Sequence, residues 1–299
     1  MVACQPVTPQ PSATPAPQAS PTLTPSPAAT ATVPTLEFSG ARAYDSVVQQ
    51  VALGPRITGS AANRQLGDEV LAELSANGWQ TQTQDFTYQQ TPVRNLIGVK
   101  GEGTADVIIL GAHYDTRRRA DQDAAHPNEP VPGANDGASG VAVLLELSRV
   151  LRIQKPDRQV RLVFFDAEDN GDLDGWDWIV GSTYYANSLT ITPTAVVVID
   201  MIGDAQQNIY LERNSNAQVA GAIWDTAAAL GYGDQFIKQY KWSMEDDHTP
   251  FLMRGWKAVD IIDFDYPPWH TTQDTPDKIS PDSLERVGRT LVAWLGSEK

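Results

Sequence analysis

The chain has 299 residues, room for one large α/β domain, and carries a formal charge of −15 with a pI near 4.6. That charge excludes nucleic acid and anionic membrane surfaces as natural partners. A single cysteine, Cys4, excludes an internal disulfide and a thiolate metal site, and with only four histidines any transition-metal site must draw on carboxylates.

Residues 5–36 hold nine of the 21 prolines, abundant Ser, Thr and Ala, and no charged residue. This composition builds no core and reads as an extended tether. Ahead of it, "MVAC" resembles the end of a bacterial lipoprotein signal whose apolar part is missing. The resemblance implies lipidation at Cys4 and an extracytoplasmic protein tethered to the cell surface, with an accidental cysteine as the alternative. No run of about 18 apolar residues occurs, so no transmembrane segment is expected. The remainder, residues 37–299, reads as one catalytic domain.

From residue 36 onward, strand-like and helix-like patterns alternate. This predicts an α/β domain with a mixed, mostly parallel central sheet flanked by helices. Helices are expected at 44–53 and at 61–77, where Gly78 stops the second. A faint strand at 95–100 and a clear one at 106–110 precede a helix at 139–151. A strand at 160–165, a helix at 178–188, a strand at 195–200 and a faint strand at 208–211 follow. A helix at 217–230, a strand at 258–262 and a helix at 282–295 complete the chain.

Polar residues collect where these strands end. "ILGAHYDT" sets His113 and Asp115 after the first clear strand, and "GANDGASG" sets Asn135 and Asp136 at a helix start. "FFDAEDNG" ends a buried strand in Asp166, Glu168 and Asp169, and "VVVIDMIG" ends another in Asp200. "EDDHTPF" carries Asp246, Asp247 and His248, and "PPWHTTQDT" carries Trp269 and His270. In open α/β sheets ligands bind beyond the carboxyl ends of the strands, so these segments meet at one edge. Each has an ordinary reading alone, since an Asp at a helix start is often an N-cap. His126, in a polar loop, is read as structural. Crowded carboxylates at a core strand end repel one another and resist desolvation, and a bound cation relieves both costs. Carboxylate and imidazole donors suit catalytic zinc, which keeps a coordination position open. Glu168 then stays off the metal and moves protons.

From "GPRITGS" (54–60) to "HTTQDTPDKIS" (270–280) the chain resembles the zinc aminopeptidase and glutaminyl cyclase superfamily, an α/β/α sandwich. In the aminopeptidases that resemblance implies two zinc ions. Asp136 would bridge them, Asp169 and His270 would hold one, His113 and Asp200 the other, and Glu168 would activate water. Asp115 would fix the ring of His113, and a cis peptide is implied after Asp136.

Details resemble the bacterial glutaminyl-peptide cyclotransferases more closely: "FFDAED" followed by "WIVGSTYYA", Asp at 169, "DMIGD", the doubled acid of "EDDHTPFLMRG" and the aromatic of "PPWHT". For a cyclase the resemblance implies one zinc, held by Asp136, Asp169 and His270, and a substrate of peptide or protein N-termini. Glu168 would shuttle the proton, Asp200 and Asp246 would share one beside it, and Trp269 would wall the pocket for glutamine. "GANDGASG" fits either branch, and Asp260 stands where animal cyclases carry histidine, so an aminopeptidase is the alternative. Packing is the simpler role for Trp176, Trp178 and Trp269, a helix cap for Asp247, and an ordinary solvated loop for Asp260, Asp263 and Asp265. Loss of Glu168 or a ligand position would have marked a catalytically inactive surface-binding lipoprotein, and none is lost.

Overall fold

A computed structural model describes residues 1–5, 8–10, 37–103, 105–153 and 157–297. Most of the expected tether lies outside these residues, whereas Cys4 is among them, exposed and unpaired. Among the described residues no helix is long and apolar enough to cross a membrane.

The folded unit begins with α1 (Gly40–Ala52) and α2 (Ala61–Ala76), capped by the hydroxyls of Ser39 and Ser60. Then come β1 (Gln80–Tyr88), β2 (Thr91–Lys100), β3 (Asp106–His113), α3 (Ala138–Val150), β4 (Arg158–Phe165), α4 (Val180–Ser188), β5 (Ala195–Asp200) and β6 (Ile209–Leu211). The chain closes with α5 (Ala217–Ala229), β7 (Phe236–Tyr240), α6 (Thr249–Met253), β8 (Ala258–Ile262) and α7 (Pro281–Ser297).

Six strands form one sheet in the order β1-β2-β4-β3-β5-β8. The β4, β3, β5 and β8 strands run parallel, while β1 and β2 add an antiparallel edge. The strands that the sequence marks faintly differ in fate. The 95–100 segment extends to become β2, whereas the 208–211 segment becomes β6, which pairs with β7 in a separate two-stranded sheet. The expected sheet thus gains the edge strand β1, whose run "QTQTQDFTY" is polar until Phe86 and Tyr88 and so announces itself weakly.

Alternation along the strands divides the core. Ile108, Leu110 and Ala112 of β3 join a layer with α1, α2, α3, α5 and α7, and their neighbours Val107 and Ile109 face α4 and α6. Twelve of the thirteen residues of α3 are buried, so this helix is apolar around most of its girth, as a central helix must be. Its contact with the sheet is close at Gly140, where an added Cβ would lie 2.6 Å from the carbonyl oxygen of Ile199 and 2.8 Å from Cβ of Ala112. Gly140→Ala is therefore expected to destabilise the fold by about 1–3 kcal/mol through overpacking. Urea denaturation would show this as a lower midpoint, and an unchanged midpoint would contradict the close contact.

Register aligns the chemistry. His113 ends β3 opposite Phe165 of β4, and Asp200 ends β5 opposite Ile262 of β8. The carboxyl ends of four parallel strands thus open on one edge, as the sequence pattern requires.

Candidate active site

The backbone turns sharply where the strands end. Ala167, Met201 and His270 occupy the left-handed region, with φ of 60°, 45° and 54°. Non-glycine residues are rarely held there, and each costs about 1–3 kcal/mol that surrounding packing must offset. The first turn places Glu168 and Asp169, the second follows Asp200, and the third presents the His270 ring. At the start of α3 the N-cap is Gly137, at φ 93°, with no side-chain cap. Asp136 is thereby free of capping duty. The described peptide bonds are all trans, so the cis bond expected after Asp136 is absent and Gly137 makes the turn instead.

These segments bring the expected residues together. Asp136, Asp169 and His270 offer donor atoms within 4.8 Å of one another, as do His113, Asp136 and Asp200. Asp136 divides its oxygens between the two groups. Its Oδ1 lies 3.1 Å from Nε2 of His113, and its Oδ2 lies 3.6 Å from Nε2 of His270. His270 Nε2 is also 2.9 Å from Oδ1 of Asp169, and His113 Nε2 is 3.1 Å from Oδ1 of Asp200. Oδ2 of Asp136 and Oδ2 of Asp169 are buried with no hydrogen-bond partner. Unpaired buried carboxylate oxygens beside an imidazole fit a divalent cation, and an all-N/O donor set of this kind suits zinc. The three side chains are close enough to clasp a common ion.

Beside this triad lies a cavity of about 200 Å³. Glu168, Asp200 and Asp246 enter it, and Trp178, Trp269 and Phe264 supply aromatic walls. Trp269 stacks on the His270 ring at 3.8 Å between centroids and meets Phe264 edge-on at 4.9 Å. Trp178 also lies parallel to His270, so it is a pocket wall and not the packing residue the sequence suggests. Trp176 does pack, in a small apolar cluster with Val93 and Val180.

Burial dominates the electrostatics of these side chains. It pushes Glu168 well above the usual carboxylate range; the charges of Asp169, Asp247 and Asp246 push the same way and His113 opposes them. Burial likewise lifts Asp200 to about 7 and Asp169 to about 6, each moderated by a neighbouring histidine. Asp136 moves the other way. Burial would raise it, but the hydrogen bond and charge of His113, with the charges of His270 and Arg117, hold it below its ordinary value. Four acids in one spot therefore differ in their affinity for a proton.

Several side chains act differently from expectation. Asp115 sits 3.7 Å from Nδ1 of His113 but spends its oxygens on the backbone N–H groups of Glu168 and Asp169, at 3.0 and 3.3 Å. It pins the turn after β4 as well as facing the histidine. Asp247 does not cap α6, whose N-cap is His248 without a side-chain bond, and its carboxylate is buried. Asp260 and Asp263 do not lie in a solvated loop. Both are buried, with Asp260 inside β8 and near Asp246 and His248, while only Asp265 keeps partial exposure. Its place in a core strand, between Val259 and Ile261, could have signalled this.

Two positioning groups escape the sequence reading. Asp274 accepts the backbone N–H groups of Asn135 and Asp136, at 2.8 and 3.1 Å, and the hydroxyl of Tyr266 at 2.7 Å. Arg56, fully buried, donates to the carbonyls of Pro132 and Gly133 just ahead of Asp136. The only sequence hint of the first is its spacing, four residues after His270.

Known proteins share this fold. The glutaminyl cyclase of Porphyromonas gingivalis superposes with a TM-score of 0.82 at 35% identity, covering 88% of this chain and 99% of that one. A Zn-dependent exopeptidase from Parabacteroides distasonis superposes with a TM-score of 0.82 at 29% identity, covering 89% and 100%. The glutaminyl-peptide cyclotransferase-like protein of Bos taurus is 26% identical over 282 residues, 80% of this chain and 71% of that protein. The sequence profile of Peptidase family M28 matches residues 95–295. With the match spanning two thirds of its length, from within β2 to α7, the chain belongs to peptidase family M28, the zinc aminopeptidase and glutaminyl cyclase superfamily.

Proposed function

We propose that this protein is a zinc-dependent glutaminyl-peptide cyclotransferase, converting N-terminal glutamine of peptides to pyroglutamate with release of ammonia. The observation that carries the reading is the small aromatic-walled cavity in which Glu168, Asp200 and Asp246 stand beside the Asp136, Asp169 and His270 triad. Likeness to bacterial glutaminyl cyclases at 35% and 31% identity supports it.

Asp136, Asp169 and His270 would hold the zinc, which supplies a Lewis acid for the γ-carboxamide oxygen. The substrate's own amine is the nucleophile, so the pocket needs no seat for an attacking water. Trp178, Trp269 and Phe264 confine the side chain and fold its carboxamide back on the amine, a proximity effect. The amine nitrogen bonds to the carboxamide carbon, and the C–NH₂ bond breaks. Glu168 takes the proton that the amine loses and delivers it to the departing nitrogen, which leaves as ammonia. Asp246 and Asp200 share a buried corner next to it and titrate as a coupled set.

The second reading, an aminopeptidase with a metal pair, rests on the two donor groups that flank Asp136. A Gln-initiated peptide distinguishes them. We expect conversion to the pyroglutamyl peptide with one ammonia per turnover, while leucine anilide stays intact. Hydrolysis of the anilide with the Gln peptide unchanged would overturn the cyclase reading. Residues 37–299 would form the catalytic domain, and lipidation at Cys4 would hold it outside the cytoplasm. The charge of −15 sets it apart from nucleic-acid partners.

A further inference from the structure

His270 lies in a loop in left-handed geometry, so no helix or strand fixes the direction of its ring. A different segment does. Gln122 donates its N–H to the His270 carbonyl at 3.2 Å, and Asp123 accepts the N–H and hydroxyl of Thr272. From the same segment, Oδ1 of Asp121 faces Nδ1 of His270 at 3.7 Å, on the side of the ring away from Asp169. Arg117 grips both oxygens of Asp121, through Nε at 2.7 Å and Nη2 at 2.8 Å. The remaining arm of its guanidinium, Nη1, donates to the carbonyls of Asp169 and Gly171 at 3.1 and 3.3 Å. Its plane lies 4.7 Å from the Trp178 ring, which in turn runs parallel to His270. Arg117 is buried, with 2% of its side chain exposed, a costly place for a cation used only as filler.

The geometry points to Arg117 and Asp121 as a positioning pair for the zinc site. This rests on the reading above that Asp136, Asp169 and His270 hold the metal. The charge of Asp121, 3.7 Å from Nδ1, favours the tautomer with its proton there, which leaves the Nε2 lone pair free toward Asp136 and Asp169. Arg117 holds Asp121 with one side of its fork and the Asp169 backbone with the other, so that two of the three ligands share one brace. Lysine lacks the planar fork and cannot make both contacts at once.

The test measures zinc affinity by chelator competition, apart from turnover, in the full chain and in Asp121→Asn, Arg117→Met, Arg117→Lys and the double variant Arg117→Met/Asp121→Asn. Asp121→Asn and Arg117→Met are each expected to bind zinc about 10–100-fold more weakly. The double variant should fall only a few-fold below the weaker single one, because both act through the same ring and brace. Arg117→Lys should recover part of the loss. Asp121 has 34% of its side chain exposed, so Asp121→Asn tests the idea without unfolding the core. Wild-type zinc affinity in Asp121→Asn and Arg117→Met, with only the melting temperature of the metal-free protein lowered, would reduce the pair to a structural ion pair and overturn the proposal. Failure of the wild type to take up zinc would overturn the ligand reading, and this proposal with it. A wild type that binds zinc but leaves Gln peptides unchanged would overturn the cyclase assignment alone.

Discussion

Glu168→Gln is expected to lower turnover of a Gln-initiated peptide by about 10²–10⁴-fold, the usual contribution of a placed proton carrier. The amide keeps the shape of the side chain but cannot accept and return a proton. Zinc content should be unchanged, because Glu168 is not among the donor groups that converge on a common point. Folding stability at neutral pH should not fall. The amide has the size of the carboxyl it replaces, so the buried packing around residue 168 is kept. Single-turnover kinetics with metal analysis on the same sample would check all three. Turnover near the wild-type rate would remove Glu168 from the proposed chemistry under both the cyclase and the aminopeptidase readings.

The second large effect concerns zinc and pH together. Chelation is expected to lower the melting temperature, and to do so more at pH 8 than at pH 5. Burial raises Asp166 to about 7, Asp263 to about 6, Asp169 to about 6 and Asp200 to about 7. In the native metal-free chain these groups keep protons that the unfolded chain releases above about pH 4. Native protein therefore binds more protons across that interval, and its stability declines as pH rises from about 4 through 7. Zinc takes the place of the proton at its ligand, so its binding strengthens over the same interval and the gap between loaded and stripped protein widens. With zinc a thousandfold above its Kd the gain is about 4 kcal/mol, or about 8–16 °C for a domain of this size. Scanning calorimetry with and without chelator at the two pH values measures it. A zinc-dependent shift equal at pH 5 and pH 8 would contradict the assigned protonation of the site.

Much of this was legible in the residues themselves. The runs Val160–Phe165 and Ala195–Asp200 could only be buried parallel strands, and an acid at the end of each pointed to one edge of a sheet. The grouping of residues 136, 169 and 270 came from the family resemblance, and their donor atoms do meet. Other features left no local trace. β1 is polar over its first six residues, with Phe86 and Tyr88 alone giving it an apolar face, and it takes its strand form from pairing with β2. Arg117 and Asp121 resemble any charged pair in a loop rich in arginine and aspartate. Their meaning depends on a histidine some 150 residues later in the sequence. Asp260 is different, since the strand expected at 258–262 already placed it between Val259 and Ile261, and the solvated-loop reading overlooked that. Trp178 was misplaced for another reason: an indole packs against a ligand imidazole as readily as against a core, and only the fold says which.

The left-handed turns at Ala167, Met201 and His270 have an engineering consequence. At Ala167 a glycine would relax the chain at the loss of one methyl group, and thermal robustness would rise if nothing else mattered. The same change would widen the range of directions open to the acid that follows. Sturdiness and aim are therefore opposed at this corner, and a search for heat-tolerant variants should leave it alone and work on the far ends of the strands.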